Sequence, residues 1–341
     1  MNKRIAPRLI LCILLLGSWS MATEVSKTGT TAAKFLNMGV GPRTVAMGGA
    51  YAAIDNDVSA MYWNPAGIAK VNQFQGLFTQ TNWIADINLN YIGLVVPTNG
   101  SGNFGVNITA VTMGDMLETT EDFPEGTGNT FSAGMYAIGL TYARNLTQNF
   151  VIGANIKYVQ ESISNSTARG FAIDIGTIFD TPFYGVKFST AITNFGTKMQ
   201  MAGEDLLFQY NSDINRKGSV DRLNSYVETE KFDLPLRLQL GLSRDFRLVE
   251  GQRLTLALDA ALPSDNTQYV NAGGELGLFN DLVFLRGGYK TLFIRDREEG
   301  LTAGAGLRYN QLAGLKLTID YAYQDFTYLG DVHTFGIQLG F

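Results

Sequence analysis

The sequence predicts an all-β fold: a transmembrane antiparallel β-barrel of about 14 strands, with an N-terminal, partly helical hatch in its lumen. Three observations predict it. The first is composition. Of 341 residues, 45% are hydrophobic and only 17% charged, below the roughly 25% charge of ordinary soluble domains. Glycine (38), Phe (21) and Tyr (15) are abundant and Pro (8) is scarce, which suits many strands joined by tight turns. The second is that no apolar run of about 18 residues follows the N-terminal leader, so no helix can span a bilayer. A membrane protein without spanning helices must close a barrel, because hydrocarbon leaves no backbone group unpaired. The third is alternation.

Residues 1–22 read as a secretory signal peptide. Lys3, Arg4 and Arg8 form a positive start, Leu9–Leu16 is apolar, and Ser20 and Ala22 make a small-x-small cleavage site. Cys12, the only cysteine, lies inside this leader. Removing the leader takes the net charge from −5 to −8, since it carries those three cations and no acid. An acidic mature chain disfavours nucleic acid as a partner. The predicted organisation is leader 1–22, hatch 23–72 and barrel 73–341.

Period-two alternation is clearest toward the C-terminus. Leu315, Leu317, Ile319, Tyr321 and Tyr323 fall on one face, and Lys316, Thr318, Asp320 and Ala322 on the other. A helix would space its apolar residues by three and four instead. Fourteen such segments run from 74–82 to 332–341. The same alternation assigns Lys157, Asp174, Arg237, Asp259, Arg286, Arg308, Lys316 and Asp320 to the lumen. On the lipid face each would cost about 2–4 kcal/mol at mid-depth. Phe335, Ile337, Leu339 and Phe341 alternate outward to the last residue, the pattern commonly read by the barrel assembly machinery as an assembly signal.

The links sort by parity. Links after odd-numbered strands include the long 114–132 and 197–233, and the polar Asn165-Ser166-Thr167 and Arg295–Glu299. Links after even-numbered strands are short, such as Thr98–Gly102, Asn145–Gln148, Asn280-Asp281 and Asn310–Gly314. Bacterial outer-membrane barrels have short periplasmic turns and long external loops. The parity therefore predicts the cell outer membrane, with outer-membrane lipid around the barrel and both termini periplasmic. The loop 197–233 is read as structureless, with an apolar group Leu206, Leu207, Phe208 and Tyr210 among its charges Glu204, Asp205, Arg216, Lys217, Asp221, Arg222, Glu228 and Lys231. Such a group needs a partner.

Residues 24–72 do not alternate. A short helix is expected over 32–38, capped by Thr30 or Thr31, and a second over 58–63, ended by Asn64-Pro65-Ala66-Gly67. A barrel of this width cannot fill its lumen with its own side chains, so this Gly- and Ala-rich segment is expected to plug it. The stretch Ala46-Met47-Gly48-Gly49-Ala50-Tyr51-Ala52-Ala53, then Asp55, then Asn64-Pro65-Ala66-Gly67 resembles the N-terminal signature of the PorV/PorQ family. That family is similar in architecture to the FadL long-chain fatty-acid transporters, which share an Asn-Pro-Ala element in the hatch. The resemblance implies a surface role in type IX protein secretion, with exported proteins or secretion components as partners. The alternative it leaves is a FadL-like channel for hydrophobic small molecules.

No enzyme is expected. The single histidine, His333, has no sequence partner for nucleophilic catalysis, and the mature chain has no cysteine. No cofactor or metal is expected either: Asp55-Asn56-Asp57 lacks the glycine and distal glutamate of a calcium loop and reads as a turn or helix cap.

Overall fold

The computed structural model describes residues 29–98, 100–210, 223–294, 299–312 and 314–341. The leader 1–22, the loop charges Arg216, Lys217, Asp221 and Arg222, and Arg295–Glu298 lie outside the described residues. Fourteen long strands form: β1 (Gln75–Asn82), β2 (Asn88–Thr98), β3 (Gly102–Thr112), β4 (Ala133–Asn145), β5 (Phe150–Ile163), β6 (Ser166–Asp180), β7 (Val186–Gly196), β8 (Arg237–Val249), β9 (Gln252–Pro263), β10 (Tyr269–Leu278), β11 (Val283–Leu292), β12 (Glu299–Leu312), β13 (Leu315–Phe326) and β14 (Gly330–Gly340). Each pairs antiparallel with its sequence neighbours. The seam from Gln75↔Gly340 to Asn82↔His333 joins β1 to β14 and closes the barrel.

Alternation decides which side chains meet lipid. On β4 and β5, Leu140 and Ile156 are 63% and 58% exposed, while Asn155 beside them is 1% exposed. The exterior is thus a belt of Leu, Ile, Val and Phe, and the interior is polar. Because the ladder closes on itself, no long edge is left for the bilayer to solvate. The only breaks in the wall of β2–β9 are local: β6 and β7 shift register between Ile173 and Ile175, where Asn194 adopts a left-handed conformation (φ 63°), and β8 shifts against β9 between Arg247 and Val249.

The links only partly follow the expected parity. Both long links follow odd-numbered strands, but so do two short ones, Ser164-Asn165 and the turn after Phe326. Thr167, expected in a link, lies in β6. Loop 197–233 is also not structureless. Met199–Gln200 pairs with Lys231–Phe232, and Leu207–Tyr210 pairs with Leu223–Tyr226 as a hairpin. The apolar group thus finds strand partners locally, yet Leu207, Phe208, Tyr210 and Tyr226 remain exposed.

The N-terminal segment threads the barrel from one end to the other. Thr31 bridges to Asp233 and its Oγ1 donates to Asp265 Oδ2 (2.7 Å), both at the long-loop end. Lys70 meets Asp180 at the short-turn end (2.6 Å), where Phe341 N also donates to Phe74 O (3.0 Å). The first and last described residues therefore lie at opposite ends of the barrel. This corrects, for the described chain, the expectation that both termini share a side. Parity located the start of β1 correctly, but the hatch before it spans the full lumen. Within the hatch, α1 (Pro42–Ala46) and α2 (Ala60–Trp63) alternate with 3-10 turns at Lys34–Asn37 and Pro65–Lys70. No side chain caps the first turn, since Thr31 is engaged with Asp265 instead. Pro65 ends α2 as expected, with Asn64 extended (φ −153°).

The hatch fits because the wall is cut away where it passes. A Cβ on Gly176 of β6 would sit 1.8 Å from Asn64 Oδ1; on Gly153 of β5, 2.4 Å from Ala66 N; on Gly273 of β10, 2.2 Å from Met47 O. The sequence suggested small residues in the hatch, and the structure adds a matching set of small residues on the wall. Gly176→Ala should therefore loosen the hatch by about 1–3 kcal/mol through overpacking. Gly274→Ala, whose added methyl would meet only Leu256 Cδ2 at 3.4 Å on the outer face, should leave it unchanged. Protease protection of residues 40–70 in the purified barrel measures the difference.

Candidate functional site

Two features of the lumen bear on function: the latches that hold the hatch, and the space left above it. The strongest latch is built on Arg43. Pro42 at the first position of α1 fixes the turn that starts it. Arg43 then reaches the wall as a bidentate fork, Nε to Glu275 Oε2 and Nη2 to Glu275 Oε1, both 2.8 Å. Its third nitrogen, Nη1, meets Asp57 Oδ2 (3.1 Å) and Tyr51 OH (3.2 Å) within the hatch. Glu275 also accepts from Arg286 Nε (2.7 Å) and Arg253 Nη2 (3.0 Å), and Arg286 Nη1 meets Asp320 Oδ1 (2.6 Å). One buried carboxylate on β10 thus gathers cations from the hatch, β9 and β11. Burial pushes the Asp57 carboxyl up, but Arg43 and the hydrogen bonds from Ser59 outweigh it and hold it below the usual carboxylate range. Burial also raises the Tyr51 hydroxyl well above the usual phenol range, so it stays a neutral donor or acceptor.

Three further latches are spaced along the thread. Asp259 Oδ2 accepts from the backbone N–H of Tyr51 and of Ala52, each at 2.8 Å. Asn64 Nδ2 donates to Ala52 O (2.7 Å) and Thr177 O (3.2 Å), while its Oδ1 accepts from Ala66 N (3.1 Å). That accounts physically for the Asn64-Pro65-Ala66 element: the amide ties two hatch segments to β6, and Pro65 starts the next turn. At the short-turn end Asp55 binds Lys187 (2.7 Å) and Lys70 (2.8 Å). Burial works against that carboxylate, yet Lys187 and Lys70 lower it below its ordinary range. Asp57 Oδ1 accepts from Ser59 N (2.8 Å) and Ser59 Oγ (2.7 Å), so the Asp55–Asp57 stretch is a turn whose carboxylates are already taken by cations and N–H groups.

The residues singled out by sequence separate into groups. Asp259, Arg286 and Asp320 join the hatch latches. Lys157 and Asp174 pair with each other (2.8 Å) and with the Asn194 bulge, where Asn194 N donates to Asp174 Oδ1 (2.7 Å). Arg237 stacks over Trp63 of α2 (5.2 Å), and Arg308 over Phe284 (4.7 Å). Lys316 has the inward register but is exposed at the short-turn rim, beyond the reach of the hatch. Gly48 and Gly49 hold positive φ (66° and 75°), and a Cβ on Gly48 would lie 2.7 Å from Tyr289 N. Gly67 passes Ala60 too closely for a side chain. Phe335, Ile337, Leu339 and Phe341 all face outward and are exposed. Arg43, Arg253 and Glu275 were missed. Glu275 shares the inward register of Asn271 on β10, so alternation contained its placement. Nothing in the sequence said which inward charge would face Arg43.

Above the hatch, at the long-loop end, a cavity of about 770 Å³ remains. Phe35 and Met38 of the hatch meet it from below, and Trp83, Met113, Met135 and Phe326 from the wall. Trp83 and Phe326 contact edge to face (5.2 Å). Its polar groups are mostly paired with one another: Lys34 with Asp265, and Lys290 with Glu299 at 2.7 Å. A largely apolar vestibule with a few polar groups on it fits a hydrophobic or amphiphilic small molecule.

Residues 17–199 match a family described as an uncharacterised protein family, UPF0164. No curated protein matches the chain. Among solved structures, the chain is similar to the toluene transporter TodX of Pseudomonas putida, with TM-score 0.56 and 12% identity over 89% of this chain and 97% of that one. It is similar to the toluene transporter TbuX of Ralstonia pickettii (TM-score 0.54, 12% identity, 89% and 97% covered). It is also similar to a Pseudomonas aeruginosa FadL homologue (0.53, 12%, 89% and 98%). At these identities the likeness is one of fold, the FadL-like barrel with a short helical N-terminal segment.

Removing the shared anion tests the main latch. Glu275→Gln leaves Arg43, Arg253 and Arg286 around a neutral amide, and should cost about 3–5 kcal/mol, read by denaturant titration in detergent. The second latch predicts a pH signature. The folded Asp55 carboxyl titrates below its unfolded value of about 3.9. Its contribution is therefore complete above that value and disappears as pH falls through the lower folded one. The stability difference between wild type and Asp55→Asn should be constant above about pH 5 and vanish in stronger acid.

Proposed function

The chain belongs to the uncharacterised protein family UPF0164, and from that premise we propose that it is an outer-membrane barrel that admits hydrophobic small molecules, with its long-loop end facing outward. The observation that carries this reading is the vestibule. It is apolar, it opens at the long-loop end, and hatch residues Phe35 and Met38 form part of its lining. A ligand seated there touches the segment that blocks the way. Below it the hatch is packed tightly, with Met47, Ala50, Tyr51, Val58, Met61 and Ile68 essentially without exposure. Passage requires that packing to shift. The latches are mostly polar contacts to the wall, which can exchange partners without opening a void. The toluene transporters that share the fold support the class of substrate.

A second reading rests on a different observation. The hairpin Leu207–Tyr210/Leu223–Tyr226 stands off the barrel with apolar side chains on view. An isolated two-stranded hairpin is marginal in water, so these residues suit a protein contact. That favours the secretion-associated role implied by the PorV/PorQ resemblance, in which surface loops hold exported proteins.

One experiment separates the two. A Cβ on Gly241 lies 3.0 Å from the Ala52 Cβ, close enough for an engineered Ala52→Cys/Gly241→Cys pair to cross-link the hatch to β8. The oxidised form should lose uptake of an apolar probe such as toluene, and reduction should restore it. Replacing residues 203–230 with a short Gly-Ser linker should leave uptake intact, because the hairpin's ladder bonds are internal. Normal uptake with the hatch cross-linked removes the transport reading. Loss of exported protein from the surface of the linker variant, with uptake absent throughout, would establish the secretion reading in its place.

A further inference from the structure

The outer wall carries a basic pocket that neither the hatch nor the vestibule uses. It forms where β6 rises above its neighbour. β7 ends at Gly196, opposite Ala172, but β6 continues to Ser166. The following loop extends the wall upward: Thr197 N donates to Phe171 O (2.9 Å), and Ala202 and Gly203 pair with Thr167 and Ser166. Strand alternation then sorts the side chains. Met199 turns inward and is buried, lying where a Cβ on Gly170 would meet it. Lys198, Gln200 and Ala202 turn outward with Thr167 and Arg169. Lys231, directly across from Gln200, falls on the same face. Arg169, Lys198 and Lys231 line one shallow pocket with Thr167, Gln200 and Ala202.

Three cations at one spot are unusual on a chain whose formal net charge is −5. Lys198 has a surface partner, Asp233, at 3.0 Å. The nearby Asp205 is committed to the β5–β6 turn, where it accepts from Asn165 N (2.7 Å) and Ser166 Oγ (3.2 Å). Among the described residues, Arg169 and Lys231 have no carboxylate partner. The surroundings say what would supply one. Immediately below Arg169 on the same outer face come Phe171 (59% exposed), Ile173 and Ile175. Phe195, paired with Ile173, widens this apolar strip and is 65% exposed. One strand step of two residues, about 7 Å, separates the cations from lipid-facing aromatics. A headgroup at the top of the hydrocarbon belt and its acyl chains along the belt match that order of chemistry.

We infer that Arg169, Lys198 and Lys231 form a binding site for the phosphate of an anionic lipid headgroup, at the membrane boundary of the long-loop end. Arg169 presents a fork that can hold two phosphate oxygens, and the two ammoniums close on the remaining charge. Thr167 and Gln200 offer neutral donors beside them. The inference is independent of what, if anything, crosses the lumen.

Native mass spectrometry of the full-length protein in mild detergent tests it, using phosphatidylglycerol and phosphatidylcholine as probes. Wild type should retain phosphatidylglycerol selectively. Arg169→Gln/Lys231→Gln should lower that retention about tenfold. Arg247→Gln/Lys316→Gln removes the same charge at the other end of the barrel and should leave it unchanged. Arg169→Lys alone should retain most of the binding. All four side chains are on the surface, and heat-modifiable migration on gels checks that each barrel is folded. Three results would overturn the inference: retention unaffected by the Arg169/Lys231 variant, equal loss in both double variants, or displacement of the lipid by millimolar inorganic phosphate, which would mark a site for free anions.

Discussion

Hydrocarbon offers a peptide group no hydrogen-bond partner, so a strand that faces lipid must be paired on both edges. In this chain that requirement is met by the seam between β1 and β14, and the rest of the architecture follows from it. Closure with fourteen strands produces a wall whose apolar side chains face out and whose polar ones face in. It also produces a lumen too wide to be filled from the wall alone. The N-terminal segment occupies that space, and its path from the long-loop end to the start of β1 is set by the ends of the barrel.

Filling a polar lumen with a mostly apolar hatch raises a problem of charge. Inward cations and carboxylates cannot face an apolar plug without partners. The solution here is local concentration. Glu275 collects Arg43, Arg253 and Arg286 on one side of the lumen, while Lys157, Asp174 and the Asn194 bulge satisfy one another on the other. Between these poles the hatch meets the wall through backbone and amide groups, at Asp259 and Asn64, and through glycines that let main chain approach main chain. Such contacts hold position without interlocking large side chains. That combination suits a plug that is retained yet able to shift.

The vestibule gains its meaning from the same arrangement. Because the hatch begins at the long-loop end, its first turn forms part of the ligand-sized space. Phe35 and Met38 are at once lining and plug. A ligand's contact with them is contact with the thread that runs down to Lys70 and Asp55. The exterior follows a separate logic. Its apolar belt is set by alternation, and the extension of β6 above β7 lifts a cluster of cations just past the edge of that belt.

Alternation and link length, both local properties, made most of this legible in the sequence. A two-residue period fixes which side chains face lipid, so the strand count, the inward placement of Asp174, Asp259, Arg286 and Asp320, and the outward Phe335, Ile337 and Leu339 follow from spacing alone. The Asn64-Pro65 break was equally readable, because Pro lacks an N–H wherever it sits. Period and parity carry no information about distance across the lumen. They say that Glu275 and Arg253 point inward, but not that Arg43 lies between them, some 230 residues away in sequence. They also gave the start of β1 its side of the membrane while missing that the hatch before it crosses the whole barrel. For the same reason Lys316, correctly inward by register, proved to sit at the rim. Height along the barrel depends on strand stagger, and stagger is decided only when all fourteen ladders close together.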